Sequence, residues 1–188
     1  MNEKDIVIVF DCGATNVRAT AINSKGEILA CDSRMNSPRP DPFYPSYRIW
    51  DVKDIWDKMC QTSKKILGTI NPGSIIGVTV TTFGVDGTFV DQRGDLLYPV
   101  ISWHCERTVP IMAAIEKYIS LDELYHEAGV LPFNFNTINK IIWFRENMPD
   151  LIEKSYRFLF MPSIFSFLLT GEMVNDATMA GTSMMNCQ

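Results

Sequence analysis

Nowhere in this sequence do two glycines stand one residue apart, and no Gly-x-x-x-x-Gly-Lys run occurs. Those absences exclude the dinucleotide fingerprint and the P-loop, so any nucleotide must be held in another way. Histidine is scarce: His104 and His126 are too few and too far apart for a zinc site. Basic residues are outnumbered, 17 against 22 acidic ones for a net charge of −5, and they form no sustained run. No nucleic-acid partner is expected. Long apolar runs are missing too. The greasiest stretch, 158–169, contains Pro162, Ser163 and Ser166 and falls short of the roughly 18–20 apolar residues that a membrane span needs. Met1 to Asp5 is mixed in charge and does not read as a targeting signal. The expectation is a soluble cytoplasmic protein with no membrane partner. The five cysteines (12, 31, 60, 105 and 187) include no pair at metal-knuckle or redox spacing. They read as reduced thiols in a reducing compartment.

What is present is ordinary globular material. The 188 residues are 46% hydrophobic and 21% charged, with a mean hydropathy of +0.01. That excludes disordered, collagen-like and coiled-coil chains and suits one large domain, or one domain plus a fragment. Ile6–Phe10 is a continuous β-branched run, predicting a strand buried on both faces. Val17–Ile22 and Glu27–Ser33 follow as strands across tight turns, giving an antiparallel meander. Residues 36–50, with four prolines, predict an irregular loop without a regular element. Asp51 is placed to cap a helix whose Val52, Ile55, Trp56, Met59, Ile66 and Leu67 share a face, ending at Asn71-Pro72-Gly73. Ile75–Thr82 then returns as a strand parallel to a neighbour. A small hairpin is predicted over Phe89–Asp91 and Asp95–Pro99. Further helices are predicted over Thr108–Ile119, Asp122–Ala128, Asn139–Asn147 and Ser163–Leu169.

Three segments carry chemistry. Asp11-Cys12-Gly13-Ala14-Thr15-Asn16-Val17-Arg18 puts a carboxylate at the end of a buried strand, where it can hold Mg²⁺ directly or through waters. Gly13 permits a turn with amides near an anion, Thr15 and Asn16 add short donors, and Arg18 adds a fixed positive charge. A polar hairpin turn without a ligand fits the same residues. Thr81-Thr82-Phe83-Gly84-Val85-Asp86-Gly87 ends a strand of the sheet, where ligands collect in open α/β folds. Asp86, between small residues, has room to accept from sugar hydroxyls, although a glycine-flanked turn aspartate is the plainer alternative. In Ser102-Trp103-His104, the indole of Trp103 suits the C–H face of a sugar ring, while a core tryptophan is the commoner case. His104 is assigned no role.

Together, FDCGATNVRA at 10–19, VTVTTFGVDG at 78–87, LLYPVISWHCERT at 96–108 and LTGEMVNDATMAGTSMM at 169–185 resemble, in order and spacing, the FGGY carbohydrate kinase family of the actin-like ATPase superfamily. The resemblance spans essentially the whole chain. It implies an α/β fold: a ribonuclease-H-like (actin-like ATPase) domain, a mixed sheet with flanking helices. It implies ATP and Mg²⁺ as cofactors, with Asp11, Gly13, Thr15, Asn16 and Arg18 handling the phosphates and Asp11 the metal. Val85 and Asp86 match sugar-contacting positions, and Trp103 and Phe135 match aromatic positions near the sugar in some relatives.

The activity implied is phosphorylation of a small sugar, L-fuculose at its primary C1 hydroxyl. The alternatives are another ketose or polyol such as L-rhamnulose, or an actin-like nucleotide-binding regulatory module. In the family, the general base is an aspartate late in the first domain, and no stretch here matches it. No catalytic residue is therefore assigned within the chain, and the general-base aspartate is expected beyond Gln188. The resemblance implies that residues 1–188 are the N-terminal part of a longer protein, without the second nucleotide-binding domain and inactive alone. Monomer or homodimer is left open.

Overall fold

The computed structural model describes residues 5–185. They form two compact units: one built from the residues up to Ser37 with Asp51–Phe83, the other from Pro38–Trp50 with the residues from Gly84 onward.

The first unit is a four-stranded mixed sheet with a helix on it. β1 (Ile6–Cys12) pairs antiparallel with β2 (Asn16–Ile22), which pairs antiparallel with β3 (Ile28–Met35). Ile6, Ile8, Phe10 and Cys12 are buried, while Val7, Val9 and Asp11 are half-buried. The run expected to be buried on both faces thus has one dry face. Opposite positions on β2, Val17, Ala19 and Ala21, complete that face. α1 (Val52–Leu67) lies against β2 and β3 and buries Ile55, Met59, Thr62 and Ile66. Asp51 caps it as expected, accepting from the Asp54 amide at 3.1 Å. After a 3₁₀ turn over Pro72–Ser74, β6 (Ile75–Thr82) runs parallel to β1, giving the order β3-β2-β1-β6; β4 (Arg39–Pro40) and β5 (Arg48–Trp50) lie in the second unit. The predicted crossover is present.

In the second unit, expectation and structure part in several places. Residues 36–50 are not wholly irregular: β4 (Arg39–Pro40) and β5 (Arg48–Trp50) pair with each other, and β5 pairs with β8 (Val100–Ile101). Two- and three-residue strands carry no periodicity, so only their partners define them. β7 (Gly87–Val90) pairs with β9 (Arg157–Phe160), a strand without a signal of its own in the sequence. The apolar stretch 158–169 divides between β9 and α6 (Met161–Thr170), with Pro162 in the helix's first turn. The expected hairpin survives as a tight turn around Gly94 and a single bridge between Val90 and Leu96.

The helix expected over Thr108–Ile119 is broken into a 3₁₀ turn at Glu106–Thr108, α2 (Val109–Ala113) and a second 3₁₀ turn at Ile115–Lys117. The Thr108 hydroxyl donates back to the Cys105 carbonyl instead of capping a helix, and Ala114 leaves helical geometry. α3 (Leu121–Ala128) and α4 (Thr137–Asn147) lie within two residues of expectation; α5 (Pro149–Lys154) and α7 (Ala177–Gly181) have no counterpart in it.

A core of Phe89, Tyr98, Ile101, Ile111, Ile115, Leu124, Trp143 and Phe144 fills this unit. Gly87 is forced by close packing: a Cβ there would sit 2.5 Å from the Leu159 carbonyl oxygen and 2.5 Å from the Phe158 ring. Gly87→Ala is expected to cost about 1–3 kcal/mol through the strain of overpacking, read as a lowered urea midpoint. An unchanged midpoint would show that β7 and β9 can separate freely.

Among the described residues no helix is long and apolar enough to cross a membrane. Cys12, Cys31, Cys60 and Cys105 are free thiols; Cys187 and Gln188 lie outside the described residues. Burial pushes the Cys12 thiol up to about 12, with the neighbouring Asp11 charge acting the same way. It is an inert packing thiol.

Candidate functional site

The Asp11 region lies at the carboxyl end of β1, where Asp11 stands opposite Arg18 of β2 and Thr81 of β6. The Asp11 side chain is 45% exposed and Arg18 Nη1 lies 3.7 Å from it, a loose pair. The connecting turn closes on itself: the Gly13 amide donates to the Asn16 carbonyl at 2.8 Å, and a Cβ on Gly13 would approach that oxygen to 3.2 Å. The Gly13 amide, expected to face an anion, is thus spent inside the turn. Thr15, Asn16 and Arg18 remain as exposed or half-exposed donors.

A residue outside the motif steadies this turn. Asn36, buried after β3, donates from its side chain to the Gly13 carbonyl at 2.9 Å and from its backbone to the Thr15 carbonyl at 2.8 Å. A lone carboxylate with open oxygens suits Mg²⁺, which keeps several waters and takes one or two carboxylates together with substrate phosphates. Among the described residues, no group of three His, Cys, Asp or Glu could hold a metal without such help.

The second region gathers three of the four segments that carry the resemblance. Beyond β6 the chain turns sharply at Val85, whose φ is +62°. The Asp86 amide reaches back to the Gly84 carbonyl at 2.9 Å, closing a three-residue γ-turn. A β-branched residue at positive φ is strained, and such strain persists only where the surroundings hold it. Here α4 holds it: the Val85 carbonyl accepts from Thr137 Oγ1 and Lys140 Nζ, each at 2.9 Å. From the last segment, Thr182 packs beside Gly84, and the Ser183 carbonyl accepts from the Ile138 amide at the start of α4.

Asp86 has no exposed surface. One oxygen accepts from Lys140 Nζ; the other accepts from Trp50 Nε1 at 2.6 Å and from the Trp103 amide at 3.0 Å. Burial pushes the Asp86 carboxyl up and the Lys140 ammonium down, each against its partner's pull. The room that flanking small residues promised beside Asp86 is taken on the Gly87 side by Phe158 and Leu159. Trp103 is partly exposed and stacks on His104 with ring centroids 3.7 Å apart; Phe135 meets Trp103 edge-on at 6.4 Å and stacks on Phe133 at 5.0 Å. The structure thus brings Val85, Asp86, Trp103 and Phe135 into one neighbourhood.

A second buried pair braces this unit. Arg107 and Asp41, both with fully buried side chains, form an ion pair, and the Tyr98 hydroxyl donates to the same Asp41 oxygen at 2.6 Å. The guanidinium lies over the Tyr47 and Trp143 rings at 4.5 and 4.6 Å. Burial opposes ionisation of Asp41, but the Tyr98 hydroxyl, Arg107 and the Phe43 amide hold its carboxyl below the usual range. A depressed carboxyl contributes stability above its unfolded value, about 3.9, and loses it as pH falls through the lower folded value. The urea midpoint is therefore expected to fall steeply below about pH 4 and less steeply in Asp41→Asn. Parallel acid limbs for the two proteins would contradict the pairing.

Residues 6–187 match the FGGY family of carbohydrate kinases, N-terminal domain. The chain is similar to the L-fuculokinase of Haemophilus influenzae, 40% identical over 185 residues, covering 96% of this chain and 39% of that protein. It is also similar to the L-fuculokinase of Escherichia coli K12, 42% identical over 183 residues, covering 97% and 39%. The chain thus spans well under half the length of these curated relatives. The crystal structure of xylulose kinase from Rhodospirillum rubrum superposes with a TM-score of 0.86 at 21% identity, over 97% of this chain and 38% of that one. That likeness bears out the α/β fold with its mixed sheet and flanking helices. The family model's match over nearly every residue, with 40–42% identity to two curated relatives, settles the family: this chain belongs to the FGGY carbohydrate kinases and corresponds to their N-terminal domain.

Proposed function

We propose that this chain is the N-terminal domain of a longer cytoplasmic kinase that transfers the γ-phosphoryl group of ATP to the C1 hydroxyl of L-fuculose. The observation that carries this reading is the 40–42% identity to two L-fuculokinases over nearly the whole chain. Magnesium-bound ATP would supply the phosphoryl donor and offset charge on the transferring group. Asp11 would hold the Mg²⁺ through its open oxygens, and Thr15, Asn16 and Arg18 would offer donors to phosphate oxygens. On the sugar side, Trp103 offers a partly exposed ring face to sugar C–H groups, with Phe135 beside it. Val85 lies at the strained turn, and the fully buried Asp86 follows it.

Asp86 is unsuited to act as the general base, because three protein donors occupy its oxygens and none of its surface is exposed. The base is proposed to lie beyond Gln188, in the part of the relatives' length that this chain does not span. Initial rates of ADP release by the full-length protein with L-fuculose and L-rhamnulose test the substrate. The expected ratio of kcat/KM favours L-fuculose by about tenfold or more, the scale of one net hydrogen bond. A preference for L-rhamnulose would reassign the substrate while leaving the family intact.

A further inference from the structure

The family reading leaves one feature unexplained, a fully buried lysine. Lys140 on α4 is 1% exposed, and its partner Asp86 is fully buried. Replacing a buried ion pair by apolar residues is often neutral or stabilising, so stability alone does not account for it. What the pair touches is more informative. Lys140 Nζ also donates to the Val85 carbonyl, one helical turn from Thr137 Oγ1, which donates to the same oxygen. Across the pair, Asp86 accepts from the backbone amide of Trp103 and from the Trp50 indole. The couple therefore fixes two things at once: the strained turn at Val85, and the backbone that carries the aromatic stack of Trp103 on His104.

We propose that Lys140 and Asp86 are a positioning couple for sugar binding, with Lys140 and Thr137 clamping the Val85 carbonyl while Asp86 anchors Trp103. The proposal rests on the reading of Trp103 as part of the sugar site. Neither residue of the couple is a catalytic residue. Each acts through Val85 or Trp103, so the loss should appear in ground-state sugar binding and leave the chemical step nearly untouched.

The test uses the full-length protein with Lys140→Met, Thr137→Val and Trp103→Ala, reading sugar KM, ATP KM, kcat and the thermal midpoint. Lys140→Met is expected to raise the sugar KM about tenfold or more, which corresponds to about 1.4 kcal/mol of lost ground-state binding. Its kcat and ATP KM should stay within about twofold of wild type. Thr137→Val keeps the shape and replaces the hydroxyl by a methyl group. It is expected to fold and to raise the sugar KM about threefold, and it decides the matter alone if Lys140→Met does not fold. A lowered midpoint with unchanged sugar KM in the folded variants means that the couple only stabilises, and overturns the proposal. If Trp103→Ala raises the sugar KM while Thr137→Val does not, the couple fails and the sugar site stands. If Trp103→Ala also leaves the sugar KM unchanged, both fall.

Discussion

Asp11→Asn in the full-length protein is expected to lower kcat about a hundredfold or more, the magnitude typical of deleting one preorganised electrostatic group from an active site. The substitution keeps size and shape and removes the charge. Asp11 is half-exposed and loosely paired with Arg18, and the turn beside it is tied by Gly13, Asn16 and Asn36 rather than by the carboxylate. Stability should therefore change little. Sugar KM should stay within about twofold, since ground-state sugar contacts are assigned to the Val85–Trp103 neighbourhood. Titrating Mg²⁺ sharpens the test: the variant should need more of it for half-maximal turnover. Full activity of Asp11→Asn at limiting Mg²⁺ would remove Asp11 from the phosphate site.

Arg107→Met carries the largest expected effect on stability. It strips the fully buried Asp41 of its cation and leaves the Tyr47 and Trp143 faces without their guanidinium. Breaking such a pair by removing one partner costs about 3–5 kcal/mol. The pair joins residues 66 apart in sequence and ties the 38–50 segment into the second unit. Loss of the pair should therefore expose that segment to limited proteolysis before the rest unfolds. The urea midpoint reports the first effect and the cleavage map the second. A midpoint within the error of wild type, with no new cleavage near Asp41, would mean that the pair is energetically idle.

How much of this is legible in the sequence follows from how local each signal is. β1, β2, α1 and β6 announce themselves: an unbroken β-branched run, tight turns, and apolar spacing behind an Asp51 cap act within a dozen residues. β5 and β9 do not, because Arg48–Trp50 is a strand only through β4 beside it and β8 some 50 residues on, and Arg157–Phe160 only through β7 some 70 residues away. The break at Ala114 is equally silent, since Ile111 and Ile115 read as one continuous apolar face although both are buried from separate turns.

The same division runs through the candidate site. Asp11, Gly13, Asp86 and Trp103 stand in short motifs and draw attention at once. Lys140, Thr137 and Asn36 do not. A lysine on a helix reads as solvated, and only the fold supplies the buried carboxylate opposite Lys140. Sequence alone leaves Asp86 between a ligand for sugar hydroxyls and a turn aspartate, and the family resemblance favours the first. That it serves three protein donors is visible only once Trp50, Trp103 and Lys140 are brought around it from positions 36, 17 and 54 residues away.

The most direct measurement is a phosphorus NMR spectrum of the full-length protein incubated with ATP, Mg²⁺ and L-fuculose. A phosphomonoester signal should appear, split by the two protons on C1, with ADP growing in step and neither forming when sugar or ATP is left out. Sugar-independent growth of inorganic phosphate, with no phosphomonoester from L-fuculose, would describe a nucleotide-driven switch and contradict the kinase account.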